Sequence, residues 1–271
     1  MNMPLNSATL QLRHEGSVLH LTLNRPEIRN AINSAMWDEL ESTFDSMAND
    51  RRIRTVVLRG AGGNFCSGGD TKERSAQSGQ TSVGGADPLI GRSERAGRLF
   101  ARIDEAPQVV IAVVEGVALG GGLGMVCCAD IVIAAPDARF GLPEASIGVS
   151  PAQITPYLLR RIGGSELRRL ALTAARFDGV EALRIGLVHF LGADPAALDN
   201  LVKEQLALVR RCSPEGIAST KRVIRASEKL DGEEFIRFAA QDFVNALRGP
   251  DGVEGAAAAR EKRSPKWALQ D

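Results

Sequence analysis

Hydrophobic positions along this chain change their spacing several times, and each change marks a predicted element. Between residues 8 and 23, Val18, Leu19, Leu21 and Leu23 supply apolar positions around Gly16, which predicts two short strands. Asn24-Arg25-Pro26 ends the second. From Ser34 the spacing turns helical: Trp37, Leu40, Phe44 and Met47 fall on one face, with Ser34 as the predicted cap. Residues 55–58 predict a strand running into a glycine-rich turn over 60–70. A helix through 99–103 is expected to end before Pro107. Val109–Val114 is an unbroken, β-branched apolar run, the pattern of a strand buried on both faces. Gly120-Gly121-Gly122 then turns the chain into a small apolar run, helical in character, to Cys128. Ile131–Ala134 predicts a further strand, and residues 139–144 a short segment breaking at Pro143.

Residues 73–92 are polar and rich in glycine and serine, so they read as a loop and a candidate mobile cover. Helix starts are predicted near Pro151, Ser165, Asp178 and Pro195. From Pro214 onward the pattern is almost all helical, interrupted by Gly249-Pro250-Asp251-Gly252. This predicts an α/β core over residues 1–195 and a helical C-terminal region over 196–271. Residues 55–70 and 109–124 share one plan, an apolar strand, an irregular passage and clustered glycines. The echo is too loose for a solenoid repeat, but it suggests strand-turn units stacked side by side with their backbone amides at one edge.

Composition narrows the function without naming it. The 271 residues, 44% hydrophobic and 24% charged, are enough to bury a large core. A formal net charge of zero argues against nucleic acid or an anionic membrane as the main partner, although a local basic patch could hold a phosphorylated ligand. No apolar run is long enough to span a bilayer. The opening MNMPLNSATL lacks a charged region followed by an apolar core, so no signal peptide and a reduced cytoplasmic setting are expected. The four cysteines form no C-x-x-C pair, and His14, His20 and His189 are scattered, so no metal site is expected.

The glycine turns carry the candidate chemistry. A strand turning through glycines into a helix leaves the first helical N–H groups without intrahelical partners, and glycine lets a ligand approach the backbone. Two such turns follow two buried strands, so Gly69 and Gly121 could each donate one N–H to a developing oxyanion. A tight corner without chemistry is the structural alternative. The glycines match neither the phosphate loop G-x-x-x-x-G-K-[ST] nor the dinucleotide fingerprint G-x-G-x-x-G, and no G-x-S-x-G elbow is present.

Several short stretches, in order and with matching spacing over nearly the whole chain, resemble one family. They are Asn24-Arg25-Pro26 with Asn30-Ala31, Phe65-Cys66-Ser67-Gly68-Gly69-Asp70, Ala118-Leu119-Gly120-Gly121-Gly122, Ala129-Asp130, Phe140-Gly141-Leu142-Pro143-Glu144 and Lys262-Arg263. Together they are similar to the enoyl-CoA hydratase/isomerase (crotonase) superfamily. The resemblance implies a spiral of β-β-α units with a helical C-terminal trimerisation region, a homotrimer or homohexamer, and an acyl-CoA substrate. It places the thioester carbonyl between the amides of Gly69 and Gly121 and makes Glu144 the acid/base. By the same resemblance Ile28 and Arg29 lie against CoA, and Asp70, Thr71, Lys72 and Gly122 flank the thioester. Lys262, Arg263 and Lys266 would reach CoA from a neighbouring subunit. No cofactor is implied, since CoA enters as part of the substrate.

The chemistry fits those positions. Adding water to a conjugated thioester, or moving its double bond, passes through an enolate whose charge backbone amides can hold, while a carboxylate shuttles a proton. One departure is informative. Two-glutamate hydratases carry a second carboxylate two residues after the glycine triplet, where this chain has Gly124. A hydratase, a Δ3,Δ2-enoyl-CoA isomerase and a non-catalytic acyl-CoA-binding protein therefore stay open, and Asp70 and Asp130 read as structural. The run Gly141–Glu144 followed by Gly148-Val149-Ser150-Pro151-Ala152-Gln153-Ile154, with Arg160-Arg161-Ile162-Gly163 and Ala175-Arg176-Phe177-Asp178-Gly179, resembles the isohexenylglutaconyl-CoA hydratases of acyclic terpene degradation. That likeness implies a branched substrate with a second carboxylate, and a cation near the pocket to receive it.

Overall fold

A computed structural model of the protein describes residues 8–73 and 87–268. Strands β1 (Leu10–Glu15) and β2 (Val18–Leu23) form an antiparallel hairpin with Leu12 opposite Leu21. Strands β3 (Thr55–Gly60), β4 (Val109–Val114), β6 (Ile131–Ala134) and β9 (Phe190–Leu191) add in parallel, giving a six-stranded sheet ordered β1-β2-β3-β4-β6-β9. A second sheet holds β5 (Val117–Leu119), β7 (Arg139–Gly141) and β8 (Arg176–Asp178). Isolated parallel bridges Cys66↔Ala118 and Ile32↔Gly69 extend this second layer toward the start of the chain. Each turn of the chain thus adds one long strand to the first layer and one short piece to the second, which is the predicted spiral.

β4 shows why the apolar run has no alternation. Successive side chains of a strand point to opposite faces, and both faces here are covered. Val110, Ala112 and Val114 join the main core, while Val109, Ile111 and Val113 join a second cluster with Val57 and Ile133. That second cluster is closed by Leu198, Val202 and Val209 of helix α6 (Pro195–Arg210). Main-core helices are α1 (Ser34–Met47), α2 (Pro88–Glu105), α3 (Gly121–Cys128) and α4 (Thr155–Thr173), with the short α5 (Gly179–Arg184) beyond. Helices α7 (Pro214–Ser227), α8 (Gly232–Arg248) and α9 (Pro250–Glu261) pack on one another at the end of the chain.

Two local expectations are corrected. Helix α1 is capped by Asn33, whose extended backbone lets its side-chain oxygen accept the Met36 N–H (3.0 Å), whereas Ser34 bonds Glu73 instead. Helix α2 begins at Pro88, capped by Asp87, because its first half faces solvent and shows no apolar face; only Leu99, Phe100 and Ile103 are buried. Residues 88–92 of the expected loop are therefore helical, and residues 74–86 lie outside the described residues. The helix start expected near Ser165 is present: α4 is two helical segments divided at Gly163, which leaves helical geometry (φ 72°, ψ 165°). Among the described residues no helix is long and apolar enough to cross a membrane.

Candidate active site

The two glycine turns meet. After β3 the chain runs back beside β5: Cys66 donates to Val117 (2.8 Å), and Leu119 donates to Cys66 (3.0 Å). Three residues on, Ile32 donates to Gly68 (2.8 Å) and Asp70 donates to Ile32 (2.9 Å). A parallel bridge of this kind uses the neighbours of Gly69, so the N–H of Gly69 itself points to the other side. Gly68 has φ +96°, and a β-carbon built there would stand 3.0 Å from the Leu119 carbonyl oxygen and 3.8 Å from the Gly121 nitrogen. Only glycine allows this approach.

On the facing side, Gly120 adopts φ 50°, ψ −120°, and Gly121 is the first residue of α3. The Gly121 N–H therefore has no carbonyl one turn behind it, and it sits at the positive end of the helix. Gly120 donates to the Gly141 carbonyl (3.1 Å), which ties this corner to the end of β7. Pro143 then turns the chain into a 3₁₀ segment, Glu144–Ile147, that starts with the half-buried Glu144. Its Oε1 stands 2.8 Å from where a β-carbon on Gly120 would be. Gly69, Gly121 and Glu144 are thus brought together from three separate turns. Gly122 is turned away from them: a β-carbon there would meet the Cys66 oxygen at 2.5 Å.

The segment expected against CoA lies beside Gly69. Ser67 donates its N–H to the Arg29 carbonyl (2.9 Å) and its hydroxyl to the Ile28 carbonyl (3.1 Å). Arg29 and Asn30 both have left-handed backbones, φ 52° and 56°. The fully buried Asn30 side chain holds them there, accepting the Arg25 N–H (2.8 Å) and donating to Ala61 (2.9 Å) and Asn64 (2.6 Å). Its role was not read from the sequence, although an asparagine in an irregular turn is the available signal. Asp70 is committed to the scaffold. It pairs with Arg25 (3.0 Å) and accepts the Lys72 N–H (3.0 Å). Burial pushes its carboxyl up, but Arg25 and these backbone donors outweigh burial and hold it below the usual carboxylate range. Thr71 and Lys72 are exposed at the start of the helical turn 71–73, and Arg29, whose carbonyl accepts the Ser67 N–H, is exposed as well. Arg263 is paired with Glu254 (2.6 Å) and Glu261 (2.7 Å).

The far wall is apolar. A β-carbon on Gly121 would lie 3.7 Å from Ile32 Cδ1 and 3.9 Å from Phe100 Cζ. Phe100 in turn meets Trp37 edge-on, with ring centroids 6.0 Å apart. Cys66, beside the turns, is fully buried, and burial pushes its thiol up to about 12, so it is no nucleophile. Asp130 bonds the Val110 N–H (2.7 Å) and Lys221 (2.7 Å), a structural link between sheet and α7. Among the described residues no group of three or more His, Cys, Asp or Glu side chains could hold a metal ion.

Comparison with known proteins places this geometry. The sequence profile of the enoyl-CoA hydratase/isomerase family matches residues 13–270. The structure is similar to Pseudomonas aeruginosa AtuE, with TM-score 0.91 and 47% identity over 96% of this chain and 99% of that one. An enoyl-CoA hydratase/isomerase from Marinobacter aquaeolei gives TM-score 0.91 and 41% identity over 96% and 99%. The short-chain-enoyl-CoA hydratase of Clostridium acetobutylicum is 32% identical over 263 residues, 96% of this chain and 97% of its own. Two glycine turns in contact, a glutamate packed on one of them and a match spanning both sheets identify the chain as an enzyme of the enoyl-CoA hydratase/isomerase, or crotonase, family.

Proposed function

We propose that the enzyme is a hydro-lyase that adds water to the double bond of a conjugated, branched enoyl-CoA of the 3-substituted glutaconyl type. In this reading the thioester carbonyl sits between the N–H groups of Gly69 and Gly121, and Glu144 is the acid/base. The observation that carries it is the Glu144 carboxylate packed on Gly120, next to the Gly121 amide and across from the Gly68–Gly69 turn. Charge that develops on the thioester oxygen would meet two fixed dipoles, and each such donor is typically worth about 3 kcal/mol in the transition state. CoA would run along Ile28 and Arg29 and past Thr71 and Lys72, while Asp70 and Gly122 support the turn from behind.

A distal carboxylate on the substrate needs a cation. Arg92 and Arg95 flank a cleft of about 290 Å³ over Ser34, Trp37 and Leu89. Arg95 is held by Asp38 and Glu41, and Arg92 lies 3.8 Å from Glu73, which also bonds Ser34 on the cleft floor; in this reading Arg92 receives the distal carboxylate. Exposed Ile236, Phe243 and Leu247 along α8 support assembly into a homotrimer or a dimer of trimers. Gly124, which leaves a single glutamate at the site, favours a second reading, a Δ3,Δ2-enoyl-CoA isomerase.

A single-turnover reaction in deuterated water separates the two. A 3-hydroxyacyl product carrying deuterium at the α-carbon supports hydration, and a product in which only the double bond has moved sinks it. Running 3-methylglutaconyl-CoA beside 3-methylcrotonyl-CoA tests the substrate. Arg92→Gln should raise KM for the diacid thioester at least tenfold and leave the monoacid unchanged; equal effects would remove Arg92 from substrate binding.

A further inference from the structure

Gly124, on α3, lies four residues beyond Gly120, about 6 Å along the helix axis, and is buried. A β-carbon built on it would stand 2.3 Å from Ile154 Cγ2, 3.1 Å from Ile154 Cβ and 3.1 Å from Phe100 Cε1. Non-bonded carbons rest about 3.5–4.0 Å apart, so even alanine does not fit. Neither neighbour has room to withdraw. Ile154 is 4% exposed, is stiff at χ1 because it is β-branched, and is anchored by its N–H to the Pro151 carbonyl (3.3 Å). Phe100, 2% exposed, is wedged between the rings of Trp37 and Tyr157. The position of a second carboxylate is therefore filled from across the site.

We propose that Ile154 is a specificity-determining residue. By occupying the notch at Gly124 it forms, with Phe100, an apolar wall against which the acyl chain of the thioester rests. The proposal builds on the reading that seats the thioester between Gly69 and Gly121, since the Phe100 ring edge begins 3.9 Å from the β-carbon position of Gly121. A charged group on that wall would be buried without a partner. The wall thus selects acyl chains that are apolar next to the reacting carbons and leaves proton transfer there to one carboxylate.

Two measurements test this. Gly124→Ala should lower Tm by about 5 °C through overpacking, and Ile154→Ala in the same chain should relieve that clash. The double variant should then melt no lower than Ile154→Ala alone, and additive losses would overturn the packing claim. Second, the Kd values of acetyl-CoA and 3-methylbutyryl-CoA, both saturated and unable to take up water, report the wall without turnover. Ile154→Ala should cut the wild-type preference for the branched ester about fourfold, with Ile154→Val, which keeps the β-branch, falling between. A wild-type preference that survives both substitutions overturns the wall alone. If the wild type binds neither ester better than CoA, the thioester placement fails and the wall fails with it.

Discussion

Oε1 of Glu144 lies 2.8 Å from the place a β-carbon on Gly120 would occupy, so carboxylate and glycine turn are fitted to each other without spare room. Glu144→Gln keeps that shape and removes the proposed proton carrier. Its kcat should fall by about 10²–10⁴-fold with Tm nearly unchanged. Gly120→Ala adds strain at φ 50° as well as the clash, so it should lower both Tm and kcat. Near-normal turnover by Glu144→Gln would take Glu144 out of the chemistry.

Arg29 offers a substitution in which stability and binding should move in opposite directions. Its left-handed backbone at φ 52° costs an L-residue about 1 kcal/mol, which glycine avoids. Arg29→Gly should therefore keep or raise Tm while weakening CoA binding severalfold, more so at low salt. Calorimetric titration with CoA at two ionic strengths reads the second effect, and unchanged affinity would leave the side chain as a solvated surface charge.

His189 ties folding to pH. Its Nδ1 accepts the Val132 N–H (2.9 Å) at the end of the main sheet, a bond only the neutral ring can accept. Burial, and then the nearby Arg161, lowers its pKa from the ordinary histidine value. A depressed value means the unfolded chain takes up the proton first, so the stabilisation is complete above about pH 6.5 and declines as pH falls through the folded value. His20, lowered by burial and Arg13, acts with the same sign. Between pH 8 and pH 5 the Tm of His189→Gln should drop less than that of the wild type; parallel curves would count against this linkage.

Arg54, at the foot of β3, fastens the end of the chain to the core. Buried at 6% exposure, it donates to the carbonyls of Trp267 (2.8 Å), Val209 (3.1 Å), Arg210 (3.2 Å) and Cys212. Arg54→Met keeps the volume and removes every one of these bonds, so unfolding free energy should fall by about 3 kcal/mol. Hydrogen exchange should quicken at residues 209–212, and Trp267, whose indole bonds the Arg211 carbonyl (3.2 Å), should shift its emission to the red. Exchange that speeds up evenly across the chain would deny Arg54 this local role.

What could be read in advance follows physical lines. β4 was legible because a strand covered on both faces is apolar at every position, and α1 because its buried face repeats at helical spacing. The first half of α2 was not, since a helix whose buried residues are only Leu99, Phe100 and Ile103, with Ala96 packed beside them, shows no period before them. At the site, the glycines announced a close approach, and the resemblance supplied Glu144. Ile154 appeared only as one residue of a family-like stretch, with nothing to mark its contact: its partner, Gly124, lies on a separate element, and only the packed fold brings them together. Gly122 carried a glycine's signal too, but its close approach is to Cys66 within the core.

The bridges Ile32↔Gly69 and Cys66↔Ala118, with glycine at 68 and 120, aim the N–H groups of the two turns through the main chain. At 69 and 121 themselves a β-carbon meets nothing closer than 3.7 Å, and every residue but proline carries the same N–H, so the donors do not depend on the side chain there. Glu144 has no such insulation: a single base change turns a glutamate codon into a glutamine codon. If the proposed roles hold, a lineage built on this scaffold can exchange its proton carrier and reshape its acyl wall by point mutation while inheriting the same pair of amides, so changes of reaction fall within reach of drift without any rebuilding of the fold.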